Sequence, residues 1–183
     1  RRAQYRWREA RLQVNENWPD VERLLATPQQ FYKLTGPEDR TLIFESRFES
    51  GNLLAAIKVS DSGTILPLED INTNGHTQWY FFRVGNTFRG QRVKFNVVNL
   101  AKPDSLYNYG MKILCFSNKI KETEEVGWHR VGENINYHPG PYKRDNNKFL
   151  RTFYTFTFTH TFEHDQDSCS FLIVSLTLPL TCK

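Results

Sequence analysis

Residues 77–84 read TQWYFFRV, and the four consecutive aromatics Trp79, Tyr80, Phe81 and Phe82 constrain the fold more than any other stretch. At period 2, Gln78, Tyr80, Phe82 and Val84 point one way and Thr77, Trp79, Phe81 and Arg83 the other, which puts rings on both faces of one strand. Such a strand must be covered on both sides, either by two packed layers or by a second domain lying over one face. The stretch is therefore expected to be the central strand of a layered β fold.

The rest of the chain agrees with that class. Its 183 residues suffice for one domain with a sizeable core, and 14 Phe, 8 Tyr and 4 Trp suit pleated, half-buried surfaces. The net charge of +4 is a mild excess, weaker than the dense basic patch of a nucleic-acid binder. Part of it is local: Arg1, Arg2, Arg6, Arg8 and Arg11 outweigh Glu9 and Glu16, which reads as a solvated helix face or as a contact for an acidic protein tail. Cys115, Cys169 and Cys182 lack the spacing of a disulfide framework or zinc ribbon, so free thiols in a reducing compartment, cytosol or nucleus, are expected. No signal peptide, membrane-length apolar run or Asn-x-Ser/Thr acceptor occurs. The start at Arg rather than Met suggests a fragment of something longer.

Residues 1–41 read as a short helical arm and linker, with apolar positions at helical spacing, Asp20 as a cap, and Pro28, Gly36 and Pro37 in the connection. Residues 42–183 read as a mainly β, antiparallel sandwich or jelly-roll-like domain. Strands are expected at 42–48, 53–59, 64–68, 77–84, 92–98, 110–117, 152–162 and 170–178, with hairpin chemistry at Ser60-Asp61-Ser62-Gly63, Asn74-Gly75 and Arg89-Gly90. Two long loops, 100–109 and 127–148, carry Pro, Gly, Asn and Tyr and are natural contact sites on a rigid sandwich. The sharpest alternation runs from Tyr154 to Phe162, with Thr155, Thr157, Thr159 and Thr161 on the polar side.

Chemistry-bearing constellations are few. His160 and Glu163 form an His-x-x-Glu with His164 close behind, but in an extended strand His160 and Glu163 lie on opposite faces and His160 and His164 stand roughly 13 Å apart. Zinc needs its ligands near 2 Å, so the motif reads as a decoy, and neither metal nor catalytic residues are expected in this chain. Gly127-Trp128-His129-Arg130 and His138 supply loop histidines without a recognisable nucleophile. Rings interleaved with Arg83, Arg89, Arg92 and Lys94 suit a β core better than a stacking platform for single strands.

Several segments in order then resemble one family. Phe44-Glu-Ser-Arg-Phe-Glu-Ser-Gly-Asn-Leu53, Asp70-Ile-Asn-Thr-Asn74 with Gln78-Trp79-Tyr80-Phe81, Phe95-Asn-Val-Val-Asn99, Ser105-Leu-Tyr-Asn-Tyr-Gly-Met111, Gly127-Trp128 with Arg130 and Gly132, and Ile135-Asn-Tyr137 are similar to the amino-terminal domain of the cytosolic carboxypeptidases. These are M14-type zinc peptidases that trim glutamates from tubulin and other proteins. The resemblance implies a β-sandwich that precedes and packs against a carboxypeptidase domain. Zinc ligands and catalytic residues belong to that later domain, so the cofactor is expected there and not here.

The chain departs from the family at 170–183, SFLIVSLTLPLTCK, where only Pro179 and Thr181 echo the aromatic segment that leads into the peptidase. Two functions stay open on this reading: the accessory domain of a zinc carboxypeptidase acting on glutamate-rich tails, or a non-catalytic module on microtubules or axonemes that retains only this domain. The expected location is cytoplasmic, extending to microtubules, cilium or basal body. Expected interdomain or partner contacts are Trp79, Phe81, Tyr107, Tyr109, Met111, Trp128 and Tyr137, with Trp128 and Met111 alternatively plugging the ends of the sandwich. Arg1, Arg2, Arg6, Arg8 and Arg11 are the candidates for an acidic tail.

Overall fold

Ten strands form two five-stranded sheets in the computed structural model, which describes residues 32–69, 76–145 and 150–173. The expected helical arm with its arginines, the Asp70–Asn74 motif, the Asn74-Gly75 turn and the chain after Ile173 with Cys182 lie outside the described residues. The first sheet has the order β1 (Ile43–Glu45), β4 (Phe81–Gly85), β10 (Cys169–Leu172), β6 (Ile113–Ser117), β7 (His129–Val131), all antiparallel. The second has the order β2 (Ile57–Ser60), β3 (Gly63–Leu66), β5 (Arg92–Leu100), β9 (Leu150–Thr161), β8 (Glu133–Asp145). A seven-residue helix α1 (Asn118–Glu124) and a 3-10 turn (Leu106–Tyr109) complete the regular elements among the described residues.

The mainly β sandwich matches the sequence expectation, with four differences. First, β3 runs parallel to β5, so the second sheet is mixed; periodicity places a strand on a face but does not choose its neighbour. Second, the expected loop 127–148 holds β7 and the 13-residue β8, which borders the second sheet beside β9. Its Pro139-Gly-Pro141 run is tolerated because β8 lies at a sheet edge, where a missing ladder donor costs little. Third, the Asp61-Ser62 turn does close the β2–β3 hairpin, but the turn at Arg89-Gly90 carries the chain from the first sheet to the second. Gly90 sits there at φ +77° and donates its N–H to Phe162 O at 2.8 Å. Fourth, regular pairing in the TQWYFFRV stretch begins only at Phe81.

The core lies between the inner faces. Tyr80, Phe82 and Val84 point inward and are fully buried, as the alternation predicts. Phe82 and Phe171 of the first sheet meet Phe95 and Phe158 of the second, with centroids 6.2 Å apart for Phe82–Phe95, 5.5 Å for Phe95–Phe171 and 5.8 Å for Phe158–Phe171. Each ring so buried contributes roughly 1.5–3 kcal/mol relative to exposure. On the opposite side of β9, Thr155, Thr157 and Thr159 are buried rather than solvated. Register explains this: Thr157 sits between Asn96 and Asn136, and Thr159 between Lys94 and Glu133, so short side chains are screened by longer neighbours on both flanks. Farther along the same outer face, Ile65, Val98 and Tyr142 form a small second apolar cluster.

Candidate functional site

Most of the segments that carry the family resemblance build the sandwich itself. In the 45–53 segment, Ser46 Oγ donates to Leu53 O at 2.9 Å, and a Cβ on Gly51 would stand 2.0 Å from Ser46 O, so only glycine fits there. Asn52, 1% exposed, donates from Nδ2 to Trp79 O at 2.8 Å and accepts from Phe81 N at 2.9 Å. Asn99 does the same for Leu68, accepting from its N–H and donating to its carbonyl. These two amides supply hydrogen bonds to backbone beyond the ends of the ladders, which is why a polar side chain is stable in the interior.

Tyr107 and Tyr137 also act inside the domain. Tyr107 stacks on Phe156 with centroids 3.8 Å apart, and its hydroxyl shares a 2.8 Å hydrogen bond with that of Tyr80. Burial raises the pKa of both phenols well above the usual tyrosine value. Tyr137 stacks on Tyr154 and donates to Lys102 O at 2.5 Å. Met111 is half-buried against the main core. Tyr109, by contrast, is 75% exposed.

The outer face of the first sheet is where ring surface remains uncovered. Register aligns Glu45, Arg83, Ser170 and Phe116 in one row across it, and Phe81, Leu172, Leu114 and Arg130 in the next. Trp128, 44% exposed, lies over this face with its ring 5.5 Å from Phe116 and 6.2 Å from Phe81. Phe48 packs edge-on against Phe81 at 4.8 Å, and the Arg83 guanidinium lies 5.1 Å from the Phe48 ring centre. The face thus joins Trp128 and Phe81, both expected from the sequence as contacts, to Arg83, which the alternation places on the same side as Phe81, and to Phe48 and Phe116, which sequence reasoning did not single out. Period 2 through β6 would have found Phe116, since buried Cys115 and Ser117 flank it. Trp79 is half-buried just before β4. Arg47 and Glu45 form a 2.5 Å ion pair beside the rings, and hydrogen bonds from Arg47 draw the Glu45 carboxyl down to about 2. The corresponding face of the second sheet presents exposed Arg92, Lys94 and Glu133 at one end, while Asn96 is buried, paired with Ile65 of the second apolar cluster.

The His-x-x-Glu spacing does not assemble a metal centre. His160 points into the core, edge-on to Phe162 at 4.9 Å and to Phe171 at 5.2 Å, whereas Glu163 is exposed. Among the described residues no three His, Cys, Asp or Glu side chains converge so as to hold a metal ion. Burial lowers the His160 pKa to about 4. Nearby, Asp167 caps α1 together with Ser117: Ser117 Oγ donates to Asp167 Oδ2 at 2.5 Å and accepts from Ile120 N, and Lys119 N donates to Asp167 Oδ1. Burial acts to raise the Asp167 pKa, but these donors prevail and lower it. Cys115 and Cys169 are buried free thiols, and the proximity of Cys115 together with burial pushes the Cys169 thiol far above its ordinary value. Such thiols are structural, because the reactive form is the thiolate.

Residues 44–172 match the family described as cytosolic carboxypeptidase N-terminal domain. Cytosolic carboxypeptidase 2 of Homo sapiens is 48% identical over 139 residues, which cover 75% of this chain and 15% of that protein. Cytosolic carboxypeptidase 3 of Mus musculus is 46% identical over 134 residues, covering 73% of this chain and 13% of that protein. The chain therefore spans about one seventh of the length of these relatives. Among solved structures, a metallo-carboxypeptidase from Burkholderia cenocepacia aligns over 72% of this chain and 28% of its own, at 20% identity and a TM-score of 0.45.

Proposed function

The chain belongs to the cytosolic carboxypeptidase N-terminal domain family, and from that premise we propose that it is the accessory domain of a zinc metallocarboxypeptidase that removes glutamates from protein C-termini or side chains, tubulin tails among them. In this reading the domain itself is non-catalytic. Zinc and the catalytic groups reside in a following domain, and the work is done in the cytoplasm, on or near microtubules. The observation that carries the reading is the ring-bearing outer face of the first sheet. Phe81, Phe116, Trp128 and Phe48 with Arg83 make an aromatic surface that includes an arginine, residue types from which protein–protein contacts draw most of their energy. It suits a seat for the following domain. β10, the last strand described, lies in the middle of this same sheet, so the chain departs from beside that seat.

Expression of the complete reading frame tests the proposal. The full protein should release glutamate from a glutamate-tailed peptide, lose that activity on chelation and regain it with zinc, while the 183-residue chain should do neither. A reading frame without a downstream His-x-x-Glu and later His, whose product co-sediments with microtubules but releases no glutamate, would replace this reading with the non-catalytic microtubule-binding one.

A further inference from the structure

We propose that the end of the sandwich from which β10 departs is a binding strip for an acidic peptide, formed by Lys102, Lys112 and Arg130 around the exposed ring of Tyr109. The identification of that peptide as glutamate-rich rests on the reading above; the strip itself rests on the following geometry.

The 3-10 turn Leu106–Tyr109 is fixed to the core. Ser105 caps it, Gly110 terminates it at φ 92°, and Met111 N donates to Leu106 O at 3.1 Å. Tyr107, the inward residue, is held by its stack on Phe156 and its hydroxyl bond to Tyr80. The same turn therefore displays Leu106, 60% exposed, and Tyr109, 75% exposed, from a rigid base. Large apolar groups offered this way lose little further freedom on binding.

Three cations adjoin the turn, Lys102 and Lys112 in sequence and Arg130 through the Lys112 carbonyl. Lys102 precedes it, with its carbonyl held by Tyr137, and Lys112 follows it, with its carbonyl accepting from Arg130 Nη1 at 2.6 Å. All three side chains are exposed, and none has an ion-pair partner among the described residues, whereas Arg47, Lys58 and Arg92 each do. The one carboxylate in residues 101–112 is Asp104, which accepts from Ser105 N, Asn108 Nδ2 and Tyr109 Oη. An extended acidic chain places same-side carboxylates roughly 7 Å apart, a spacing on which successive lysine and arginine groups can act. Arg130, already oriented by its bond to the Lys112 carbonyl, suits a carboxylate best. Tyr109 and Leu106 then receive the methylenes of the acidic side chains. The strip lies where β5 ends, β6 begins and β7 ends, beside Leu172 in the register of β10. A peptide held there runs alongside whatever follows β10.

Binding of a fluorescently labelled oligo-glutamate peptide to the 183-residue chain, with oligo-glutamine as control, is the direct test. Exchanging Lys112→Glu and Arg130→Glu together should weaken oligo-glutamate binding at low salt by about tenfold or more, and Tyr109→Ala by a few-fold. Lys121→Glu on α1, at the opposite end of the sandwich, should leave it unchanged, and thermal melting of each variant checks folding. The proposal is overturned if the double exchange binds like the parent, if Lys121→Glu weakens binding equally, or if binding vanishes only on neutralising Arg1, Arg2, Arg6, Arg8 and Arg11. The two proposals fail separately. A complete protein with no peptidase activity that still binds oligo-glutamate here removes the enzyme and keeps the strip. A peptidase whose KM for a glutamate-tailed peptide ignores the double exchange removes the strip and keeps the enzyme.

Discussion

Asn52 and His160 are two polar residues whose side chains serve the architecture of the sandwich. Asn52 extends the sheet past the end of β1: its backbone N–H reaches Phe81 O at 3.2 Å, while its side chain serves Phe81 N and Trp79 O. Asn52→Ala would leave two backbone groups without those bonds, and we expect a loss of about 2–4 kcal/mol in urea unfolding; an unchanged midpoint would mean that water replaces the amide. His160 gives a pH signature. Burial depresses its pKa from 6.5 to about 4, so between those values the unfolded chain binds the extra proton. Stability contributed by the neutral ring is full above about pH 6.5 and declines as pH falls, by about 2–3 kcal/mol at pH 4.5. Glu45, depressed from 4.5 to about 2, acts mainly below that window. Comparing unfolding midpoints at pH 7 and pH 4.5 should show this decline in the parent and a much smaller one in His160→Gln; equal slopes would assign the titration elsewhere. That His160 faces inward was legible from the Tyr154–Phe162 alternation. Which buried amides serve the backbone was not, because Asn52 and Trp79 are distant in sequence and meet only when the sheet has formed.

At the scale of elements, period 2 located strands that bury one face and failed where burial was not the signal. β8 is the main case. Its Pro139, Gly140 and Pro141 are turn residues by local chemistry, and its register shifts between Glu133 and Asn136 and again between Pro139 and Lys143. Irregularities of this kind let an edge strand pair on one side and discourage pairing on the other. Gly140 is the residue this packing demands, since a Cβ there would stand 2.5 Å from Thr155 Oγ1 and 3.0 Å from Phe153 O. Gly140→Val should therefore destabilise the domain by about 1–3 kcal/mol or more. Amide exchange should rise first at 137–138 and at their partners 155–156, with the Phe82–Phe171 region protected longest. Uniform exchange across both sheets would show instead that the β8–β9 pairing is inseparable from the core. The parallel β3–β5 pair was equally illegible, since nothing in either strand's alternation encodes its neighbour.

On the scale of the molecule, the two outer faces of one sandwich differ in what they ask for. The outer face of the second sheet shows Arg92, Lys94 and Glu133 at one end and buries Ile65, Val98 and Tyr142 farther along, while the first keeps Trp128 and Phe81 partly uncovered. The opening stretch of rings foreshadowed this asymmetry: Tyr80 and Phe82 fill the core, and Phe81 on the opposite side is left for a covering that the described residues supply only in part, through Phe48 and Trp128. If a following domain sits on this face, Trp128 reports it. In the 183-residue chain its fluorescence should be accessible to iodide or acrylamide, and Trp128→Phe should remove most of the quenchable signal that does not come from Trp7 and Trp18, with half-buried Trp79 contributing the remainder. In the complete protein the Trp128 signal should become shielded. Phe81→Glu combined with Trp128→Glu should then split a shared unfolding transition in two, yet leave the melting of the 183-residue chain nearly unchanged, because the rings gain less from one another than from a covering domain. A Trp128 that is equally quenchable in both proteins would place the docking face elsewhere and leave this surface to a separate partner.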